Sequence, residues 1–131
     1  MGTLTKNDLI QFSGDLVRYQ HPHDPKVIYT PGVRYVAKNG KAYWLIEAIA
    51  SWLGGQDYLQ ATTLDERLCY RMYWQLTVSE DRSAVLEARA DSDAKPWASQ
   101  TIRHTDFPLP SLEIWAAIEG EQWTLSLPSE H

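Results

Sequence analysis

The sequence has one cysteine, Cys69, which excludes an internal disulfide and a cysteine-based zinc cluster. It also lacks a long hydrophobic run. The longest, Ala42 to Leu53, is broken by Glu47 and Ser51 and falls far short of the ~20 residues that cross a bilayer, so no membrane association is expected. Positive charge is scarce: twelve Lys and Arg stand against seventeen Asp and Glu, a net charge of −5, and no Lys or Arg follows Arg103. Duplex binding needs a basic face to displace counterions, so no nucleic-acid partner is expected. Catalytic signatures are missing as well. There is no Gly-x-Ser-x-Gly elbow, no phosphate-binding glycine loop and no His-Glu-x-x-His pair. The opening Met1 to Lys6 has no basic start followed by an apolar run, so a cytoplasmic location is expected.

What is present is the composition of a folded protein. With 44% hydrophobic residues in 131, the chain can build a core and has the length of a single domain, residues 1–131. The charge is uneven. Residues 1–65 balance six acids with six bases, whereas residues 66–131 set eleven acids against six bases. Aromatic usage is skewed towards six Trp and seven Tyr over two Phe, the types with a polar handle that suit a core rim or an interface.

The spacing predicts a short helix over residues 5–13, a strand near Leu16 to Tyr19 and a turn-rich loop at His21-Pro22-His23-Asp24-Pro25. Val27-Ile28-Tyr29 is a further short apolar run. Thr30-Pro31 reads as an N-cap followed by proline at the first helical position, opening a helix to Lys38 that Asn39-Gly40 closes. A second helix from Lys41 to about Leu53 is apolar on nearly every side and is expected to be central. Residues 56–66 read as a loop. The period then changes from 3.6 to 2, with Tyr70, Met72, Trp74, Leu76 and Val78 alternating with Arg71, Tyr73, Gln75 and Thr77. Four more strands are predicted at 84–91, 97–105, 112–118 and 123–127. The expected class is α+β, with helices of the N-terminal half packed on one face of an antiparallel meander of about five strands.

Four groups of residues are candidates for chemistry. His21, His23 and Asp24, with His104 near Asp106, are types that ligate zinc or iron, although loops commonly collect spare polar residues. Cys69 has no neighbour that would lower its pKa and reads as a small packed side chain. Tyr43, Glu47 and Ser51 recur every four residues and share one helix face, either as a pocket or as a solvent-facing stripe. A buried Glu47 would need a partner, for which Arg34 and Arg18 are available. Lastly, Trp97, Trp115 and Trp123 are placed on the side of the sheet away from the helices. Trp115 is out of phase with Leu112, Ile114, Ala116 and Ile118, which makes it a candidate binding residue.

The strings Tyr29-Thr-Pro-Gly32-Val-Arg-Tyr35, Ala42-Tyr-Trp-Leu-Ile-Glu-Ala-Ile-Ala-Ser51, Ala90-Asp-Ser92, Thr105-Asp-Phe-Pro-Leu-Pro110 and Leu127-Pro-Ser129 resemble those of a family of small bacterial proteins known only as a domain of unknown function. The resemblance runs from about Leu9 to Ser129. It implies one domain of bacterial or mobile-element origin and carries over no activity, cofactor or catalytic residue. The residues therefore favour a non-catalytic binding or interaction module with a protein partner or with itself, and no cofactor is implied. The alternatives are a metal-assisted hydrolase built on His21, His23, Asp24 and His104 or on a Glu47 pocket, and an acidic decoy of a nucleic-acid-binding protein.

Overall fold

The computed structural model describes residues 4–5, 18–21 and 25–130. The helix expected over 5–13 lies almost entirely outside them, as do His23 and Asp24. The described elements are strands β1 (Tyr19–Gln20) and β2 (Val27–Tyr29), helices α1 (Pro31–Asn39), α2 (Tyr43–Leu53) and α3 (Gln56–Leu64), and strands β3 (Arg71–Val78), β4 (Ala84–Arg89), β5 (Ala98–Ile102), β6 (Ser111–Glu119) and β7 (Gln122–Ser126). Single 3-10 turns lie at Glu66–Cys69 and Pro128–Glu130.

The class is α+β, but the sheet is larger than expected. Seven strands run in the order β1-β2-β7-β6-β3-β4-β5, and β2 pairs parallel with β7, so the sheet is mixed rather than a five-stranded antiparallel meander. Two features hid this. β2 is three residues long, too short to show a period, and its partner lies nearly a hundred residues downstream. The order also breaks between β5 and β6: the chain leaves the β5 edge and returns beside β3. That crossing uses Thr105 to Pro110. Its prolines hold it extended, and Arg82 donates to the carbonyls of Thr105 (3.2 Å) and Phe107 (2.7 Å). Phe107 is fully buried, and its ring lies where a methyl on Gly40, the C-cap of α1, would fall.

α1 starts as its sequence indicates. The Thr30 hydroxyl accepts from the Val33 amide, Pro31 occupies the first turn, and Val33, Val36 and Ala37 are buried. α2 buries Leu45, Ile46, Ile49, Ala50 and Leu53, yet it is not enclosed, because Tyr43, Glu47 and Ser51 form an exposed stripe. The segment expected as a loop is α3. Only Ala61 of that helix is buried, so there was no apolar period to read. Cys69 is exposed at the end of the first 3-10 turn rather than packed.

The helix side of the sheet carries Met72, Trp74, Leu76, Leu86, Ala88, Ile114 and Leu125, all buried. Trp97 and Trp123 also lie on this side, contrary to expectation. Trp97 packs edge-on against Trp52, Tyr58 and Trp74 at 5.7–5.9 Å between ring centres, and Trp123 meets Tyr58 at 5.8 Å. Trp123 is in phase with buried Leu125. Trp97 precedes β5 and bonds its amide to the Ala88 carbonyl, so it does not follow the strand's alternation. Such aromatic pairs add ~0.5–1.5 kcal/mol each beyond their burial.

Candidate binding site on the open face of the sheet

The opposite face of the sheet carries the side chains that alternate with the core. Strand register sets them side by side. Tyr73 on β3 lies opposite Trp115 on β6 and Arg89 on β4, and Gln75 lies opposite Glu113 and Glu87. Directly opposed residues on one face interact as pairs. The Tyr73 and Trp115 rings meet edge to face, 5.3 Å between centres and 79° between planes. Trp115 donates its indole N–H to Glu113 Oε1 at 2.6 Å, which fixes the ring relative to the carboxylate. Arg89 approaches Glu87 at 3.5 Å. Beyond β4, the Asp91 carboxylate lies 3.8 Å from Arg67, which is itself held by Asp65 at 2.7 Å. The Arg67 hydrogen bond holds the Asp65 carboxyl below its usual range.

A concavity of about 390 Å³ opens among Tyr73, Gln75, Arg89, Asp91, Glu113 and Trp115. It offers two aromatic surfaces, two carboxylates, one guanidinium and one amide. That set can hold a cationic or amide-bearing side chain by ring contact and hydrogen bonds. Trp115 was legible as outward-facing from its phase. Its neighbours were not, because alternation gives the face of each strand but not which strands become neighbours.

The other candidates lie elsewhere. Tyr43, Glu47 and Ser51 do share a face, and it is solvent-exposed. Glu47 pairs with the buried His21 at 2.9 Å, not with Arg34 or Arg18. Arg34 instead covers the Tyr19 ring at 4.8 Å, and Arg18 approaches Glu119 at 3.6 Å. Glu47 and Ser51 line a broad groove of about 730 Å³ between α2 and β5, with His104 and Asp106 on its far wall. There His104 and Asp106 meet at 3.2 Å, both exposed. Among the described residues no group of three or more His, Cys, Asp or Glu is placed to hold a metal ion. No helix among them is long and apolar enough to cross a membrane.

Compared with known families, residues 3–131 match the family of unknown function DUF6876. The chain belongs to that family. No curated protein and no solved structure matches it. Within the matched residues, two contacts hold distant segments together. Thr30-Pro31-Gly32 meets Leu127 to Glu130, where the buried Glu130 carboxylate accepts from the Thr30 hydroxyl and from the Gly32 and Leu127 amides. Thr105 to Pro110 forms the crossing described above.

Proposed function

We propose that the protein is a non-catalytic binding module, a single cytoplasmic domain that takes a protein partner on the open face of its sheet. The carrying observation is the concavity in which the Tyr73–Trp115 pair is flanked by Asp91 and Glu113. Aromatic side chains with one apolar face and one polar edge dominate the energetics of protein interfaces. Two carboxylates beside them favour a partner that presents a Lys or Arg side chain, in keeping with the net charge of −5. An acidic decoy would need its negative charges on one contiguous face, whereas this face interleaves Arg89 with Glu87 and Glu113.

The test is capture of partners on the immobilised chain, run in parallel with Trp115→Ala and Glu113→Gln. A protein retained by the wild type and lost with both variants, more weakly held as salt rises, supports the reading. Retention that neither variant changes overturns it, as does an absence of any retained protein.

A further inference from the structure

The half-buried Tyr73 and Trp115 rings stand nearly perpendicular, at 79°, so their faces form two walls of a corner. The Trp115 wall is fixed, because its N–H donates to Glu113 Oε1 at 2.6 Å. Charge in this corner is out of balance. Of the three ionic side chains that line it, Asp91 and Glu113 are acids and Arg89 is a base. Arg89 already leans on Glu87 at 3.5 Å, outside the lining. One oxygen of each lining acid is engaged, Glu113 Oε1 by the indole and Asp91 Oδ1 by the Ser92 amide at 2.7 Å. The other Asp91 oxygen meets Arg67 at 3.8 Å, a long contact, since Arg67 is held by both oxygens of Asp65 at 2.7–3.2 Å.

These features separate the two basic side chains. A lysine ammonium is compact and strongly hydrated, so it gives up more water when pressed against rings. A guanidinium is flat and weakly hydrated. Laid parallel to one ring of a right-angled pair, it turns its N–H edge to the face of the other. Its five donors are spread in a plane and reach oxygens that do not lie together, as those of Asp91 and Glu113 do not, being on β6 and beyond the end of β4. We propose that the corner takes the side chain of an exposed arginine on the partner, in preference to lysine. This specificity rests on the binding-module reading above and names the cation that such a module selects.

The experiment is a titration of the full chain with acetyl-Gly-Ser-Xaa-Ser-Gly-amide peptides in which Xaa is arginine, lysine or citrulline. Binding is followed by nuclear magnetic resonance at the backbone amides of Tyr73 and Gln75 and at the Trp115 indole N–H. Trp115 is one of six tryptophans, and its indole signal is the one that Trp115→Phe removes. The arginine peptide should shift these signals and bind about 5-fold or more tighter than the lysine peptide. Citrulline, flat but uncharged, should bind about 10-fold or more weakly than arginine. Trp115→Leu should erase the preference for arginine over lysine, whereas Glu113→Gln should weaken both peptides; preserved dispersion of the amide signals shows that each variant folds. Arginine and lysine peptides that bind equally at these residues overturn the arginine preference and leave the binding-module reading intact. Peptides that shift none of these signals at millimolar concentration overturn the preference too, and the partner capture then decides the broader reading by itself.

Discussion

The Glu130 carboxylate accepts a hydrogen bond from the Thr30 hydroxyl at 2.5 Å, across a hundred residues of sequence. The same carboxylate takes the Gly32 amide at 3.3 Å and the Leu127 amide at 2.8 Å, so the chain's end is fastened to the start of α1. A negative group at a helix N-terminus is favoured by the unsatisfied amides there. Glu130→Ala should lower the unfolding free energy by about 2–3 kcal/mol, since it leaves buried donors without an acceptor. Chemical denaturation measures this. Gly32→Ala would ordinarily strengthen a helix, but here a methyl would sit 2.7 Å from Glu130 Oε1 and 2.9 Å from Leu127 Cδ1. It should therefore destabilise the wild type. Combined with Glu130→Ala the two losses should be clearly less than additive, because the second change removes one of the clashes.

Arg82 combines a left-handed backbone, φ 71°, with the two hydrogen bonds that hold the Thr105–Pro110 crossing. Arg82→Ala loses both bonds and keeps the unfavourable φ. Arg82→Gly loses the bonds but relieves the backbone. Both should be destabilising, with the alanine variant worse by about 1 kcal/mol. A glycine variant no more stable than the alanine one in urea melts would refute this account of the crossing.

The helix borders around Thr30-Pro31 and Asn39-Gly40, the shared face of Tyr43, Glu47 and Ser51 and the alternation of β3 were legible, because caps and periods are local signals, whereas the exposure of that face was not. α3 was not, since Ala61 is its sole buried residue and its stability comes from contacts such as Tyr58 with Trp97 and Trp123. The parallel pairing of Val27–Tyr29 with β7 and the neighbourhood of β3 and β6 were not legible either. Both depend on long-range register, and no short-range rule encodes it. The binding face shares that limit. Trp115 was placed outward by its phase, whereas its companions Tyr73, Arg89 and Glu113 become a site only through strand order.

Burial pushes the Tyr58 phenol up to about 12 from an ordinary 10.0, with the nearby Cys69 thiolate as a second, smaller cause. Its hydroxyl donates to the Leu68 carbonyl at 2.8 Å, a bond that only the protonated form can make. Because the folded value is raised, the stabilisation is fully present below about pH 10 and is lost as pH climbs towards 12. Urea denaturation across that range should show a decline that Tyr58→Phe reduces. The same variant should be less stable by about 1 kcal/mol at neutral pH, where only the lost hydrogen bond counts.

Trp115 and Tyr73 separate a binding role from a structural one. Both are half-buried on a face that contributes little to the core, and their edge-to-face contact adds ~0.5–1.5 kcal/mol. Trp115→Ala should therefore lower stability modestly, by about 1–2 kcal/mol, whereas Trp74→Ala on the helix side, where the ring is fully buried, should lose about 3–5 kcal/mol. Partner retention should follow the opposite order. Trp115→Ala should abolish it in a chain that still melts cooperatively, and a milder core change such as Leu86→Val should leave it intact. If retention instead tracks the melting temperature across these variants, the outer face is only a scaffold surface.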